Sequence, residues 1–352
     1  MTKRVNIIGG GIAGCALAYM IKREGGEPVI YEAGSSLYEG AAPEHDCSTY
    51  NPRYSAQWDE NAQYFSLGYF EALRLFEEFG GQGFNWDQCG TLQLFANEKK
   101  ARRYPKTVAS WQDHGWREED IRLVDAREAS DIAGLDVEVD CMYLGRAGVI
   151  SPWRVCSRLI SGVEVKVNQW VEDASALPGD ATVLACGTKV AAFQEAAHLP
   201  VGSVRGQVTF LKENKISEPV KTTINYGGHI SPSLNGVHYI GATFQPWLAH
   251  TNLLAEDDAQ NIRNMCERFP ALAGDYEVVC AKAGIRTAAR DHFPILGQLS
   301  DRIYVSTAHG SHGFVSALSS AMILAKNIVK NEDLVSGDVL RRMSPDRFAK
   351  VG

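Results

Sequence analysis

Residues 5–32, VNIIGGGIAGCALAYMIKREGGEPVIYE, decide the fold of this 352-residue chain. The apolar run 5–8 predicts a short buried strand, and residues 12–23 carry apolar side chains at helical spacing. Residues 28–31 are again apolar and predict a second strand, which ends at an acidic residue. This order of strand, helix and strand predicts the first βαβ unit of a Rossmann-like α/β fold.

The turn between the first strand and the helix has the glycine spacing GxGxxG, at Gly9, Gly11 and Gly14. These glycines permit a tight turn, close approach of a pyrophosphate to the backbone, and close packing of helix on strand. The helix N-terminus then offers N–H groups to the phosphates. Glu32 lies eighteen residues after Gly14, near the interval at which an acid accepts a hydrogen bond from a ribose hydroxyl. We predict a bound dinucleotide.

A secretory or lipoprotein signal is the alternative interpretation of this N-terminus, because Lys3 and Arg4 precede an apolar run that contains Cys15. The glycines weaken a helical signal core, and the run leads directly into a fitting second strand. We therefore reject a signal, and we expect a cytoplasmic protein whose eight cysteines stay reduced.

The composition limits the class of protein. Hydrophobic residues make up 45% and charged residues 22% of the chain, as in ordinary soluble proteins, and the length suggests two domains. The net charge of −7 argues against a broad nucleic-acid-binding surface, although it is compatible with a local basic patch. No apolar stretch has transmembrane length and no cysteine or histidine spacing fits zinc, so we expect neither membrane nor metal.

Two later segments predict further contacts with the dinucleotide. Residues 181–187 read as a strand that ends in the small residues Ala185, Cys186 and Gly187, which leave room for a second approach. We interpret Cys186 as a packing residue, since no histidine is its neighbour in sequence. A second glycine turn, 309–313, opens a predicted helix through residue 329, and its N-terminus would face the cofactor.

The remaining periodicities predict helices and a second sheet. We expect helices over 59–79, 111–132 and 256–269, and strands over 86–95, 204–211, 222–230 and 236–244, the last three forming an inserted antiparallel sheet.

A basic cluster interrupts this otherwise acidic chain at Lys99, Lys100, Arg102, Arg103 and Lys106. It is either a solvated helix end or a patch that contacts phosphates. The sequence leaves both interpretations open.

Three motifs in different parts of the chain point to one family. They are the first glycine turn with Glu32, the run GIRTAARDHFPILG at 284–297, and the turn Gly310-x-x-Gly313. Together they resemble the DAO (D-amino-acid oxidase) superfamily of FAD-dependent oxidoreductases, over nearly the whole chain. The resemblance implies non-covalent FAD and a Rossmann-like FAD-binding domain with an inserted antiparallel-sheet substrate domain, as in glycine oxidases.

Within that superfamily the chain most resembles the FAD-dependent domain of bifunctional enzymes that make 5-methylaminomethyl-2-thiouridine in tRNA. The stretches that match these enzymes occur in the same order as in the family, at 89–94, 204–208, 235–244, 256–261 and 286–292. The resemblance implies oxidation of a secondary amine, with the carboxymethyl group of a wobble uridine leaving as glyoxylate. It also implies tRNA as a partner and, since no methyltransferase half precedes the flavin domain, a separate methyltransferase.

The chain departs from that family near the expected flavin ring. Residues 42–45 read Ala-Pro-Glu-His where the family has Ala-Ser-Gly-Asn, and Ser48 replaces the family's next glycine. His312 replaces the arginine of a Gly-Ser-Arg-Gly turn. Because these departures lie near the expected flavin ring, the resemblance specifies the cofactor but not the substrate or the roles of His45 and His312.

The predicted FAD-binding residues lie in the two glycine turns, in the loop that begins at Glu32 and contains Ala41 and Ala42, and at the small-residue end of the strand over 181–187. They are Gly9, Gly11, Ile12, Ala13, Gly14, Glu32, Ala33, Ala41, Ala42, Ala185, Cys186, Gly187, Gly310, Ser311, His312, Gly313 and Phe314. We predict an FAD-binding domain over 1–88, 144–200 and 284–340, and a substrate domain over 89–143 and 201–283.

Flavin-dependent oxidation of a C–N bond needs orientation more than acid–base groups, and a substrate carboxylate calls for a guanidinium. We predict from the family position that Arg286 is that group; the alternative is an ion pair with Asp291 or a helix end. His229 either contacts the substrate or is structural.

Two alternative functions remain. The chain could be an oxidase or dehydrogenase of a free small amino acid (glycine, a D-amino acid or an N-substituted amino acid), which the net charge and the altered flavin loop favour. It could also be a flavin-binding subunit that passes electrons to a partner.

Overall fold

The computed structural model describes residues 2–37, 47–80, 86–246 and 248–349. Among these residues the strands form a six-stranded sheet, an eight-stranded sheet and a two-stranded ribbon. Ala41, Ala42 and His45 lie outside the described residues, so their predicted roles stay predictions.

The strands alternate with helices through the first part of the chain and dominate its later half. The strands are β1 (Arg4–Ile8), β2 (Glu27–Tyr31), β3 (Ser48–Tyr50), β4 (Thr91–Leu94), β5 (Arg122–Val124), β6 (Cys141–Leu144), β7 (Gly148–Ile150), β8 (Glu164–Lys166), β9 (Ala181–Leu184), β10 (Val201–Lys212), β11 (Thr223–Asn225), β12 (His229–Ile230), β13 (Val237–Gly241), β14 (Val278–Ala289), β15 (Ile295–Ser300) and β16 (Ile303–Thr307). The α-helices are α1 (Ile12–Arg23), α2 (Glu60–Glu78), α3 (Glu98–Gln112), α4 (Ala126–Ala133), α5 (Pro152–Leu159), α6 (Ala255–Arg268), α7 (Gly313–Ala325) and α8 (Gly337–Met343).

The six-stranded sheet contains the predicted βαβ unit. Its order is β15-β16-β9-β1-β2-β8, and β1 pairs in parallel with both β2 and β9. Helix α1 has the predicted bounds, and its buried face packs against α7 and α5. The carboxyl ends of β1, β9 and β16 therefore meet at one edge, where ligands bind in sheets of this type.

The eight-stranded sheet has the order β14-β10-β13-β12-β11-β4-β6-β5. It is antiparallel, as predicted, except that β4 and β11 run parallel. The long strands β10 and β14 pair over most of their length, and this pairing sets Arg286 opposite Val204. The predicted boundary at residue 284 falls inside β14, and the predicted division into domains stays a prediction.

Two predicted elements were wrong. The helix expected over 111–132 is instead the end of α3, the strand β5 and the new helix α4; Gly115, with φ +92°, ends the α3 segment, and Asp125 caps α4. The strand expected over 222–230 is a hairpin of β11 and β12, because the chain turns at Gly227, with φ +132°. In both cases a left-handed glycine breaks a pattern that apolar spacing alone made continuous.

The most buried helix is α7, which packs between α1 and α2. Together with the π-helical turn Lys326–Lys330 it belongs to a stretch, Gly310–Lys330, that is long and apolar enough to cross a membrane. About two-thirds of that stretch (67%) is buried inside the protein, which is the burial of a core helix. Tyr64 of α2 donates its hydroxyl to Ser316 O (2.7 Å), and Ser319 Oγ donates to Tyr64 O (2.6 Å).

We predict that Gly68→Ala destabilises this helix crossing. A Cβ at Gly68 would lie 2.0 Å from Val315 O, a backbone atom that cannot rotate away. The gain in helix propensity is about 1 kcal/mol, whereas overpacking costs about 1–3 kcal/mol, so the net effect is a lower free energy of unfolding. Urea unfolding measures it. Gly202→Ala, where a Cβ meets nothing within 4 Å, is the control; equal midpoints for both variants would contradict the prediction.

Candidate active site

A groove of about 400 Å³ opens at the carboxyl edge of the six-stranded sheet. It lies between the N-termini of α1 and α7 and the ends of β1, β9 and β16. Eleven of the predicted cofactor residues line it: Gly9, Gly11, Ile12, Ala13, Glu32, Ala33, Ala185, Cys186, Gly187, Gly310 and Gly313. The structure thus brings together turns that are up to three hundred residues apart in sequence.

Each glycine of the first turn has a distinct steric role. Gly9 has φ +112°, and a Cβ there would lie 2.7 Å from Ala185 O. A Cβ at Gly14 would lie 1.9 Å from Gly9 O, so Gly14 spaces α1 against β1 and does not line the groove. A Cβ at Gly11 would meet nothing within 4 Å, which leaves an open approach to the backbone.

The groove offers N–H donors and an acid near the first turn. No side chain caps α1 at Gly11, so the first N–H groups of this helix are available to an anion. Glu32 accepts hydrogen bonds from Gly10 N (2.7 Å) and Gly34 N (2.9 Å). These two bonds fix the carboxylate in the groove wall, and each of its oxygens keeps a lone pair for a further donor.

The second side of the groove is formed by Ala185, Cys186 and Gly187. Burial raises the pKa of the Cys186 thiol to about 12, so the thiol is protonated at neutral pH and is not a nucleophile. Thr307 Oγ1 donates to Gly187 O (3.0 Å) and ties the end of β16 to this turn. The arrangement supports the interpretation of Cys186 as a packing residue.

A smaller cavity of about 180 Å³ adjoins the groove, and we call it the chamber. It is lined by residues of β10, β14 and α2 and of the loops between elements: Arg53, Phe65, Val204, Phe244, Arg286, Ala288, His292, Ala308, His309, Gly310, Ser311 and His312. Arg286, Ala308, His309 and Gly310 line both cavities. The junction between groove and chamber is therefore built from β14 and the second glycine turn.

Arg286 lies at this junction with little to hold it. Its guanidinium covers Gly206, where a Cβ would lie 2.1 Å from Nη1, and Nη1 donates only weakly to Thr243 O (3.4 Å). Among the described residues no carboxylate forms an ion pair with it, and Asp291 is bound instead by Arg347. Burial lowers the pKa of Arg286, but an arginine stays charged.

Two half-buried histidines of the second turn line the chamber, and His309 also lines the groove. His309 contacts Ser316 Oγ through Nδ1 (3.0 Å) and Ser306 Oγ through Nε2 (3.3 Å). His312 Nδ1 lies 3.0 Å from Asn51 O, so this nitrogen carries the hydrogen and donates it. Burial lowers the pKa of each to about 4, so both are neutral at pH 7.

Besides Gly14, four predicted site residues of the described part of the chain lie elsewhere than in the groove. Ser311 and His312 line the chamber. Phe314 is 7% exposed and packs edge-on against Trp86 in the core, in the first turn of α7. His229 is half-buried in β12, in the second sheet, and lines neither cavity.

Several residues that line these cavities were not predicted from the sequence. Residues 169–172 form one side of the groove, where Trp170 is 62% exposed and Lys189 Nζ lies 5.6 Å from its ring centroid. Arg53 and Phe244 belong to the chamber. The signal that could have drawn attention to Trp170 is an indole beside charged residues in a segment without periodicity.

The family model for FAD-dependent oxidoreductases of the DAO type matches residues 4–327. The chain belongs to this family. Its groove fits FAD, because the glycine cradle, the fixed acid and the uncapped helix N-terminus suit a pyrophosphate and a ribose. The recognition of the family, the fold class and the cofactor from sequence is thereby confirmed.

Curated relatives are larger than this chain. It is 26% identical over 386 residues to the tRNA 5-methylaminomethyl-2-thiouridine biosynthesis bifunctional protein MnmC of Methylobacillus flagellatus, which covers 98% of the chain and 59% of the relative. The MnmC protein of Nitrosospira multiformis is 27% identical over 376 residues, covering 97% and 60%. The chain therefore spans about three-fifths of the length of these relatives.

Solved structures share the fold. Glycine oxidase from Geobacillus kaustophilus superposes with a TM-score of 0.78 at 21% identity, covering 98% of this chain and 99% of that one. L-proline dehydrogenase from P. horikoshii gives 0.80 at 16% identity, covering 99% and 98%. Iminodiacetate oxidase from Chelativorans sp. BNC1 gives 0.77 at 18% identity, covering 97% and 99%. At these identities the likeness establishes the fold alone.

We predict that His312→Asn flattens the loss of stability in acid. Since the folded pKa is about 4 and the ordinary value about 6.5, the unfolded chain binds more protons between these pH values, and stability falls as the pH drops through this window. Removing the titration should recover about 1–2 kcal/mol at pH 4.5 relative to wild type. Asparagine keeps a donor for Asn51 O. Urea unfolding at pH 7.5 and 4.5 measures the effect, with exposed His198→Asn as control; parallel pH profiles for all three proteins would refute it.

Proposed function

We propose that this protein oxidises a C–N bond of a secondary amine that bears a carboxylate. The specific substrate we propose is 5-carboxymethylaminomethyl-(2-thio)uridine in tRNA, from which the carboxymethyl group leaves as glyoxylate. The observation that carries the proposal is Arg286, a half-buried arginine without a carboxylate partner among the described residues, placed where groove and chamber meet. The similarity to MnmC proteins supports the tRNA-borne amine.

FAD would be held along the groove. We assign the pyrophosphate to the backbone of Gly11, Ile12 and Ala13, and a ribose to Glu32. Ala33, Ala185, Cys186 and Gly187 would line the rest of the dinucleotide, and the turn Gly310–Gly313 would face the end that reacts. Bound FAD supplies the two-electron oxidant, and the protein supplies orientation and charge.

Arg286 would bind the substrate carboxylate from the chamber side. A guanidinium presents two parallel N–H donors that match a carboxylate, which orients the adjacent carbon toward the groove. Two weak contacts position this guanidinium, because it lies on Gly206 and its hydrogen bond to Thr243 O is long (3.4 Å). Thr243 is held in turn, since Gln207 N donates to Thr243 Oγ1 (2.9 Å) and Thr243 N to Gln207 O (3.2 Å).

The reaction needs a neutral amine and little acid–base apparatus. The carbon between the amine and the carboxylate would lose a hydride to bound FAD, which would leave an iminium, R–NH⁺=CH–COO⁻. Water would then add to the iminium carbon, and breakage of its C–N bond would release glyoxylate, the shortened amine and one proton to solvent. His309 and His312 are neutral at pH 7, so they add no positive charge that would oppose loss of hydride.

Oxidation of a free small amino acid is the second candidate. The chamber, at about 180 Å³ among the described residues, would enclose a small amino acid, and the solved structures of this fold include oxidases of such compounds. Under the first proposal the same chamber holds only the carboxymethylamino arm. We propose further that the protein acts in the cytoplasm on tRNA, together with a methyltransferase.

The test is anaerobic reduction of the flavin, followed by its visible absorbance. Bleaching by tRNA that carries 5-carboxymethylaminomethyluridine, with release of glyoxylate, is the expected result. Glycine, sarcosine and D-alanine are added separately. Bleaching by these amino acids and not by the tRNA would overturn the tRNA substrate and leave the second candidate, whereas purified protein that binds no FAD would overturn both.

We predict that Arg286→Gln raises KM for the carboxylate-bearing amine about 100-fold or more. Loss of a charge-assisted pair costs roughly 3 kcal/mol, which corresponds to that factor. FAD content should be unchanged, because the groove keeps its glycine cradle. Steady-state kinetics and the flavin spectrum measure both. Arg290→Gln, an exposed neighbour on the same segment, should behave as wild type; an unchanged KM in Arg286→Gln would remove this arginine from substrate binding.

We also predict that Gly206→Ala weakens substrate binding without unfolding the protein. The new Cβ would lie 2.1 Å from Arg286 Nη1, and a flexible side chain can move where a backbone atom cannot. The guanidinium should shift and KM should rise about 10-fold, which is about 1.4 kcal/mol of lost binding. The urea midpoint should stay close to that of Gly202→Ala in the same strand. A KM equal to that of Gly202→Ala would contradict the placement of Arg286.

A further inference from the structure

Arg53 is a second arginine of the chamber, and binding of one carboxylate by Arg286 does not explain it. It follows β3, and its Nη1 donates to His292 O (2.5 Å) while its guanidinium carbon lies 4.5 Å from the centroid of Phe293. Among the described residues no carboxylate forms an ion pair with Arg53. A guanidinium has five N–H donors, so donors remain for a ligand in the chamber.

Two arginines and two aspartates act on Arg53. Burial is the largest cause that lowers its pKa, Arg103 of α3 and Arg342 of α8 lower it further, and Asp291 and Asp59 act in the opposite direction to a smaller extent. Arg342 lies over the same Phe293 ring, with its guanidinium carbon 3.8 Å from the centroid.

Both neighbouring carboxylates are already engaged. Asp291 accepts two hydrogen bonds from Arg347, at 2.9 Å and 3.2 Å, and lies 3.9 Å from Arg342. Asp59 caps α2 by accepting from Ala62 N (2.9 Å). Positive charge thus accumulates beside the chamber of a chain whose net charge is −7.

The basic cluster of α3 divides into two faces. Lys99, Arg102 and Lys106 point to solvent, and Arg102 pairs with Glu98 of the same helix (2.9 Å). Lys100 and Arg103 are half-buried, and the next residue, Tyr104, packs edge-to-face on Tyr54 (6.4 Å between centroids), which places Arg103 near the loop of Arg53. The solvated-helix interpretation therefore fits Arg102, whereas Arg103 is close enough to Arg53 to lower its pKa.

We propose that Arg53, Arg103 and Arg342, which we call the arginine rim, form an anion subsite for a phosphate of the RNA strand whose carboxymethylamino arm enters the chamber. The inference rests on the proposed function. Arg286 lines both cavities and Arg53 lines only the chamber, whereas Arg103 and Arg342 line neither cavity. The rim therefore extends from the chamber away from the groove. An arginine guanidinium can donate two parallel hydrogen bonds to the oxygens of one phosphate. The chamber is too small for a whole nucleotide, so the phosphate of that nucleotide would lie outside it, at the rim.

The test compares Arg53→Gln and Arg103→Gln with Arg102→Gln, an exposed and paired arginine on the same helix as Arg103. Binding of unmodified tRNA to the FAD-loaded protein is measured by fluorescence anisotropy across a series of KCl concentrations. Each rim variant should bind about 10-fold more weakly, with the slope of log K against log salt reduced by about 0.7–0.9. Arg102→Gln should match wild type.

A second readout separates a phosphate contact from a structural role. KM for tRNA carrying 5-carboxymethylaminomethyluridine should rise in both rim variants while kcat stays constant. Arg53→Lys, which keeps the charge, should restore part of the tRNA affinity, and the flavin spectrum and melting temperature should match wild type. Wild-type tRNA affinity and salt slope in both rim variants would overturn the proposal.

The other possible source of the anion is a second carboxylate on a small amine. If Arg53→Gln raises KM for iminodiacetate and leaves tRNA binding unchanged, the phosphate assignment is wrong. The two proposals can also fail separately. If tRNA binding is salt-sensitive and depends on Arg53 and Arg103, but modified tRNA does not bleach the flavin, the rim is supported and the proposed function is overturned. If modified tRNA bleaches the flavin and tRNA binding does not depend on these arginines, the proposed function is supported and the rim is overturned.

Discussion

A contact between backbone atoms at the end of β1 sets the shape of the site. A Cβ on Gly9 would lie 2.7 Å from Ala185 O, and a Cβ on Gly14 would lie 1.9 Å from Gly9 O. Because the neighbours are backbone atoms, no change of rotamer could relieve either clash. The glycines thus fix α1, β1 and β9 relative to one another. The uncapped N-terminus of α1 and the acid at Glu32 then have to face the same groove.

The sequence predicted those parts of the fold that depend on local pattern. The bounds of α1 followed from spacing and glycines within thirty residues, and the small residues at Ala185 and Gly187 marked the second approach. The breaks at Gly115 and Gly227 were missed because apolar periodicity continues across them. Arg53 and Trp170 were missed for another reason: each becomes part of a cavity only through tertiary packing, and nothing near them in sequence marks a ligand site.

Two arginines on the paired strands β10 and β14 show how environment separates a structural role from a binding one. Arg205 is fully buried, pairs with Asp257 and donates to Gln245, Gln207 and Asn252 O, so both of its terminal nitrogens are used within the protein. Arg286, opposite Val204 on the next strand, has one long hydrogen bond among the described residues. Burying a guanidinium without a partner costs free energy, and an anionic ligand offsets that cost. The difference favours the substrate as the partner of Arg286.

His312 connects the two charged sides of the chamber. It stands where the resembling family has an arginine, and as a neutral imidazole it cannot supply that positive charge at pH 7. Its Nδ1 donates to Asn51 O, two residues before Arg53, and so ties the second glycine turn to the loop that carries Arg53. We infer that Arg53, in the loop after β3, supplies the second guanidinium of the chamber. The histidine then holds the loop of Arg53 in place, which explains why an uncharged ring can occupy this position.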